Sequence, residues 1–262
     1  MNVALHSFSD FIRAPECDVI MNFVGLGAPA RIANESNGLL ALDQSVDEAC
    51  MALVRLNPKA TYLYLSSGAS YGSDFSKPAT DHSELPDDSK FELPRDMYGW
   101  VKRSTELRHR QAKHHKIINL RIFGYASRNM DVDAGFLLSD LAKSLLTQAP
   151  VQITSDKTIR DFINPEYFFK IVEFCISNEL PNTSIDLVSS KPVDKTEIVD
   201  ALVAEYKLNV EWVKPSSSSN SRLKENYYSL SNRLTEFGFS YPASALEMVL
   251  EEFRNLSFTN QV

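Results

Sequence analysis

Tyr98 and Lys102 stand four residues apart in Tyr98-Gly99-Trp100-Val101-Lys102, a spacing that puts a phenol and an ammonium on one helix face. An ammonium beside a phenol favours the phenolate and draws the tyrosine pKa down from about 10 toward working pH, as general acid–base chemistry requires. Tyr-x-x-x-Lys is common by chance, so its surroundings decide its meaning. Upstream, Ser66-Ser67-Gly68-Ala69-Ser70-Tyr71-Gly72 follows directly on the apolar run Thr61-Tyr62-Leu63-Tyr64-Leu65. Ligands bind at the carboxyl ends of parallel strands, and a serine hydroxyl there can hold the same substrate oxygen that the tyrosine protonates. Ser67, Tyr98 and Lys102 are therefore the candidate catalytic group.

The elements that must carry these residues read as apolar strands alternating with helical patterns. Asp18 to Val24 is a buried strand ending at Gly25, and the pattern from about 32 to 55 is a helix closed by Asn57-Pro58. A strand over 61–65, a long acidic excursion over 73–95, a helix over 96–114 and a strand over 116–123 follow. This order predicts a parallel sheet covered on both faces. Beyond Gly135 the chain reads as helix 136–148, strand 151–153, helix 165–178, strand 185–188, helix 194–206 with Asp194 as its N-cap, and strand 210–213. A serine-rich stretch over 215–220 precedes a last amphipathic helix over 243–256.

Composition excludes several classes. The 262 residues are 44% hydrophobic and 23% charged, as in ordinary globular proteins. A net charge of -7 opposes a general nucleic-acid binder, whose footprint is basic. The one basic cluster, Arg103 to Lys116, also holds Glu106 and three histidines and reads as a solvated helix face. No apolar run approaches the roughly 20 residues that cross a bilayer, and no secretion signal opens the chain, so a cytoplasmic protein is expected. Cys17, Cys50 and Cys175 lack the spacing of a metal or redox motif. A hydrolase using Ser67 as nucleophile is opposed by the absence of a Gly-x-Ser-x-Gly elbow and by the position of His82 in the acidic excursion.

Taken together, the residues resemble the extended short-chain dehydrogenase/reductases, the NAD-dependent epimerase/dehydratase group that acts largely on nucleotide sugars. Asp18 to Gly25 looks like the fourth strand of that fold, and Ser66 to Gly72 resembles its Ser-Ser-x-x-x-Tyr-Gly signature, with Ser67 as the catalytic serine. Tyr98 and Lys102 match the Tyr-x-x-x-Lys pair. Leu120-Arg121-Ile122-Phe123 resembles the strand end that passes the nicotinamide, and Arg160-Asp161-Phe162-Ile163 resembles the stretch whose arginine contacts the substrate diphosphate.

The resemblance implies an α/β fold: a Rossmann-like parallel sheet with helices on both faces over residues 1–149, and a smaller substrate part over 150–262 from which 185–188 returns to the main sheet. It implies NAD or NADP, with NAD favoured, beside Val24, Gly25, Leu65, Ser66, Tyr98, Lys102, Ile122 and Phe123. A nucleotide-sugar-like substrate is expected at Gly68, Gly124 and Arg160, with no metal, and the chain is expected to pair as a homodimer. The implied chemistry is reversible hydride transfer, with Tyr98 moving the hydroxyl proton, Lys102 holding the cofactor ribose and Ser67 orienting the oxygen.

Two departures from the family pattern shape the expectation. Only 17 residues precede Asp18 and none is glycine, so the strand, glycine-rich turn and helix that hold the dinucleotide pyrophosphate are expected to be missing. Residues 2–5 would be a remnant of the third strand and Ser7 to Ala14 a short helix or turn. Gly25-Leu26-Gly27-Ala28-Pro29-Ala30 fits G-x-G-x-x-A formally, but Asp47 and Glu48, where the ribose-binding acid should end a strand, fall inside a helix. Gly68 and Ala69 replace the Asp-Glu pair of the sugar 4,6-dehydratases, which favours epimerisation or keto-reduction, and Gly124 stands where sugar epimerases often carry an asparagine. The alternative is a non-catalytic relative that keeps the fold and cannot hold the cofactor.

Overall fold

The computed structural model describes residues 16–25, 29–80, 96–215, 225–241 and 243–256. The expected remnant at 2–5, Ser7 to Ala14, Leu26 to Ala28 of the Gly25 loop, most of the acidic excursion with His82, and serines 216–219 lie outside those residues.

Four strands form the central sheet: β1 (Val19–Asn22), β2 (Thr61–Ser67), β3 (Lys116–Ile122) and β6 (Thr183–Leu187), in the order β1-β2-β3-β6. All three pairings are parallel, with Asn22 opposite Tyr64, Ser67 opposite Ile122, and Ile122 opposite Leu187. Tyr62, Leu63 and Tyr64 are all buried, which explains why β2 reads as a continuous run rather than an alternation: helices cover both of its faces. On one side lie α1 (Pro29–Leu56) and α2 (Met97–Gln111), and Ile20, Val46, Cys50, Leu53, Val54 and Tyr62 fill the space between. On the other side α4 (Pro165–Ser177) packs Ile171, Val172 and Cys175 against Leu63, Ile118 and Ile185. Asn164 caps α4 by accepting from the Tyr167 N–H at 2.9 Å, with Pro165 next, a pairing of cap and proline that starts helices well.

The expected helix and strand order is met, with ends shifted by a few residues. Asp194 does cap its helix, accepting from the Thr196 N–H at 2.8 Å. Three short strands were not foreseen: β5 (Ile159–Arg160), β7 (Val193–Asp194) and β9 (Asn226–Tyr227), which form a second sheet in the order β7-β5-β9. Two-residue strands carry too little pattern to be read from sequence. A third sheet joins β4 (Val151–Thr154) to β8 (Val210–Val213). Helices α3 (Leu137–Thr147), α5 (Lys195–Tyr206) and α7 (Ala245–Arg254) enclose the corresponding core, with Leu141, Ile198, Leu202, Val249 and Phe253 at its centre. Helix α6 (Arg233–Glu236) is a single turn beside β6.

Among the described residues β1 is paired on one side only, and Met21, Phe23 and Val24 are exposed. The basic stretch after Arg103 departs from the expectation of a solvated face. Glu106 and His109 are buried, because α2 packs on the sheet beside α1 and its inward face meets Asp47 and Arg121.

Candidate active site

Ser67 closes β2 and caps the short 3-10 turn Gly68–Tyr71, its hydroxyl oxygen accepting from the Ala69 N–H at 3.2 Å. Helix α2 packs directly on this turn. A side chain at Gly99 would run into the carbonyl of Ala69, so only glycine lets the helix come close enough to bring Tyr98 to the serine. Burial pushes the Tyr98 phenol above its ordinary value; a hydrogen bond with Ser67 opposes that rise, and the Asp43 carboxylate adds to it.

This overturns the expected lowering by Lys102. The ammonium is buried, and it is bound elsewhere: Nζ donates to Asp43 Oδ1 and to the Tyr64 hydroxyl, both at 3.1 Å, and stands 5.9 Å from the Tyr98 ring centre. Asp43 projects from α1 and also accepts from the Tyr64 hydroxyl at 2.8 Å and the Thr105 hydroxyl at 2.7 Å. One turn along, Asp47 accepts from Tyr62 at 2.8 Å and Arg108 at 2.9 Å, and meets His109 Nε2 at 2.7 Å. Sequence reasoning missed Asp43. Its signal was two acids four residues apart, on the helix face that the apolar pattern turns inward.

Further expected residues fall in different places. Gly25 follows β1 directly above the lysine: a Cβ there would lie 3.5 Å from Lys102 Nζ. Val24 is exposed, and its N–H donates to Asn22 Oδ1 at 3.0 Å. Leu65 and Ile122, in β2 and β3, are half-buried. Ser66 points away from Ser67, as alternation along a strand demands, and its hydroxyl donates to Glu106 at 2.5 Å. Phe123 is buried against Phe75 and Tyr227, and it lies over Gly68, where a Cβ would meet its ring at 2.6 Å. Gly124 is held by packing: any side chain there would meet the Asp161 carbonyl and the Phe162 ring, which leaves no room for an asparagine. Arg160 lies beside Tyr227, its guanidinium carbon 5.7 Å from that ring's centre. Thus Ser67, Tyr98 and Lys102 come together, Gly25 and Arg160 flank them, and Ser66 and Gly124 serve packing.

Behind Ser66 lies a second charged group. Arg121 binds Glu106 through Nε at 3.0 Å, donates to the Tyr71 hydroxyl at 2.7 Å, and reaches Asp186 at 3.3 Å. It lines a polar cavity of about 360 Å³ with Glu106, Arg110, Asp186 and Arg233, on the α2 side of β3 and β6.

The residues that would hold a nicotinamide and its ribose are Gly25, Lys102 and Tyr98, with Phe23 and Val24 exposed and apolar nearby in the chain. The pyrophosphate finds no glycine-rich strand-turn-helix among the described residues. No described group of three His, Cys, Asp or Glu side chains is placed to hold a metal ion, and no described helix is long and apolar enough to cross a membrane.

Comparison with known proteins bears on the family. Among curated proteins no sequence match was found. Solved structures match over nearly the whole chain at low identity. UDP-N-acetylglucosamine 4-epimerase from Bacillus cereus is 17% identical with a TM-score of 0.73, over 100% of this chain and 85% of that one. UDP-glucose 4-epimerase from Brucella ovis, solved with NAD, is 14% identical with a TM-score of 0.74, over 91% and 78%. dTDP-glucose 4,6-dehydratase from Bacillus anthracis, also solved with NAD, is 14% identical with a TM-score of 0.73, over 93% and 73%. At such identities these structures speak for the Rossmann-like α/β fold. The family model itself, described as the NAD dependent epimerase/dehydratase family, matches residues 4–180, and the chain belongs to that family.

Proposed function

We propose that the chain is an NAD(P)-dependent epimerase or keto-reductase of nucleotide sugars, with Tyr98 as the group that moves the hydroxyl proton. The observation that carries this reading is the meeting of Tyr98 with Ser67 at the end of β2, one helical turn from the buried Lys102. When bound, a nicotinamide accepts and returns a hydride. Beside it, Ser67 would orient the substrate oxygen, Tyr98 would exchange its proton, and Lys102 would hold the ribose. Gly68 and Ala69 carry no acid, which speaks against dehydration. Arg160, half-buried beside Tyr227, is suited to a diphosphate by the planar fork of its guanidinium. On this reading residues 1–149 hold the cofactor and most of 150–262 holds the sugar, and two chains associate as a homodimer.

A second reading, a family protein that keeps the fold and cannot hold the cofactor, is favoured by Asp47 and Glu48 falling inside α1 rather than at the end of a strand. Calorimetry with NAD(H) and NADP(H) separates the two. Binding, followed by loss of turnover in Tyr98→Phe at unchanged cofactor affinity, supports the enzyme. No binding, or a fully active Tyr98→Phe, refutes it.

A further inference from the structure

The Lys102 ammonium is enclosed by α1, α2, β2 and Gly25, and the carboxylate it meets is that of Asp43 at 3.1 Å. Asp43 is itself fixed by two hydroxyls, those of Tyr64 and Thr105. Lysine and aspartate are both almost wholly buried, at 3% and 2% exposure, so water does little to weaken their attraction. Their charges cancel next to Tyr98. We propose that Asp43 is a positioning residue of the Ser67–Tyr98–Lys102 group: by binding the ammonium it keeps Tyr98 a neutral phenol at rest, with its proton available to a substrate oxygen.

Among the described residues, Asp43 is the carboxylate bonded to the ammonium beside Tyr98. Ser67 and Tyr64, from β2, and Tyr227, from β9, are hydroxyls. Arg160, from β5, lies beyond the Tyr227 ring. Asp47, the next acid on α1, is met by Arg108 and His109. Burial raises the Tyr98 phenol in the same direction as the Asp43 charge, with the Ser67 hydrogen bond opposing.

The proposal deepens the reading of Tyr98 as the acid–base group, yet its test needs neither cofactor nor substrate and so stands apart from the question of turnover. The near-ultraviolet absorbance of tyrosinate is titrated in the parent and in Tyr98→Phe, and the difference isolates Tyr98. The same pair is made in Asp43→Asn. With the carboxylate gone the ammonium is uncancelled, and the Tyr98 step moves down by about one to three pH units. Asp43→Ser, which keeps a hydroxyl toward Thr105, gives the same shift if the amide variant does not fold. A step at one pH in both backgrounds, or no step in either before alkaline unfolding, overturns the proposal.

Discussion

The hydroxyl oxygens of Tyr227 and Ser67 lie 3.5 Å apart, although 160 residues separate them in the chain. Ser67 therefore stands between two phenols, one from α2 and one from β9. Burial pushes Tyr227 up to about 12; the Ser67 hydrogen bond and Arg160 oppose this, and Tyr98 adds to it. Any substrate oxygen that reaches the serine must settle beside Tyr227 or displace it.

The Tyr227 ring and its hydroxyl are separable. The ring packs 4.6 Å from Phe75 and 5.3 Å from Phe123, centre to centre. Tyr227→Phe keeps those contacts and is expected to cost no more than about 1 kcal/mol in urea unfolding. Tyr227→Ala empties the space and is expected to cost about 3–5 kcal/mol. Equal losses in the two variants would contradict a packed ring.

Arg121 and Glu106 form a buried pair, at 7% and 3% exposure. Arg121→Met leaves Glu106 and Asp186 uncompensated and is expected to cost about 3–5 kcal/mol. Combining it with Glu106→Gln should recover part of that loss. A double variant as unstable as the sum of its parts would show that the two side chains do not act together.

Asp161 gives a pH signature. Burial raises its carboxyl to about 6, with hydrogen bonds from Ser189 opposing, and its Oδ1 has no partner among the described residues. The fold prefers the neutral acid. Its contribution is thus full below the unfolded value of about 4 and is lost as pH rises through about 6. Asp161→Asn removes that loss, so its stability relative to the parent should grow by up to about 3 kcal/mol across this window. Urea unfolding of both proteins at several pH values measures the difference; a constant difference would refute it.

Gly124→Asn supplies the residue common in sugar epimerases. Because the Asp161 carbonyl and the Phe162 ring occupy the space, the change is expected to destabilise the chain by about 1–3 kcal/mol, seen in thermal unfolding. A neutral result would mean that this strand end can shift.

How much of this was legible in the sequence depended on the length of the pattern. The buried run of β2 and the long periods of α1, α2 and α4 announced the main sheet and its helices. The meeting of Tyr98 with Ser67 was also readable, because a strand end and a helix start carry them. Tyr227 was not, since β9 has two residues and its position rests on a partner strand far away in sequence. Asp43 was hidden for a different reason. Period alone marks which face turns inward, and it does not say that an acid there will find the lysine of another helix.

Gly99 has one more effect. Because α2 rests against the backbone of Ala69, the turn that begins at Ser67 and the helix that carries Tyr98 are packed directly on each other. Tyr227 completes the group from another strand, held there by its ring against Phe75 and Phe123 rather than by the length of β9, so the three hydroxyls are fixed by packing and not by local chain connectivity.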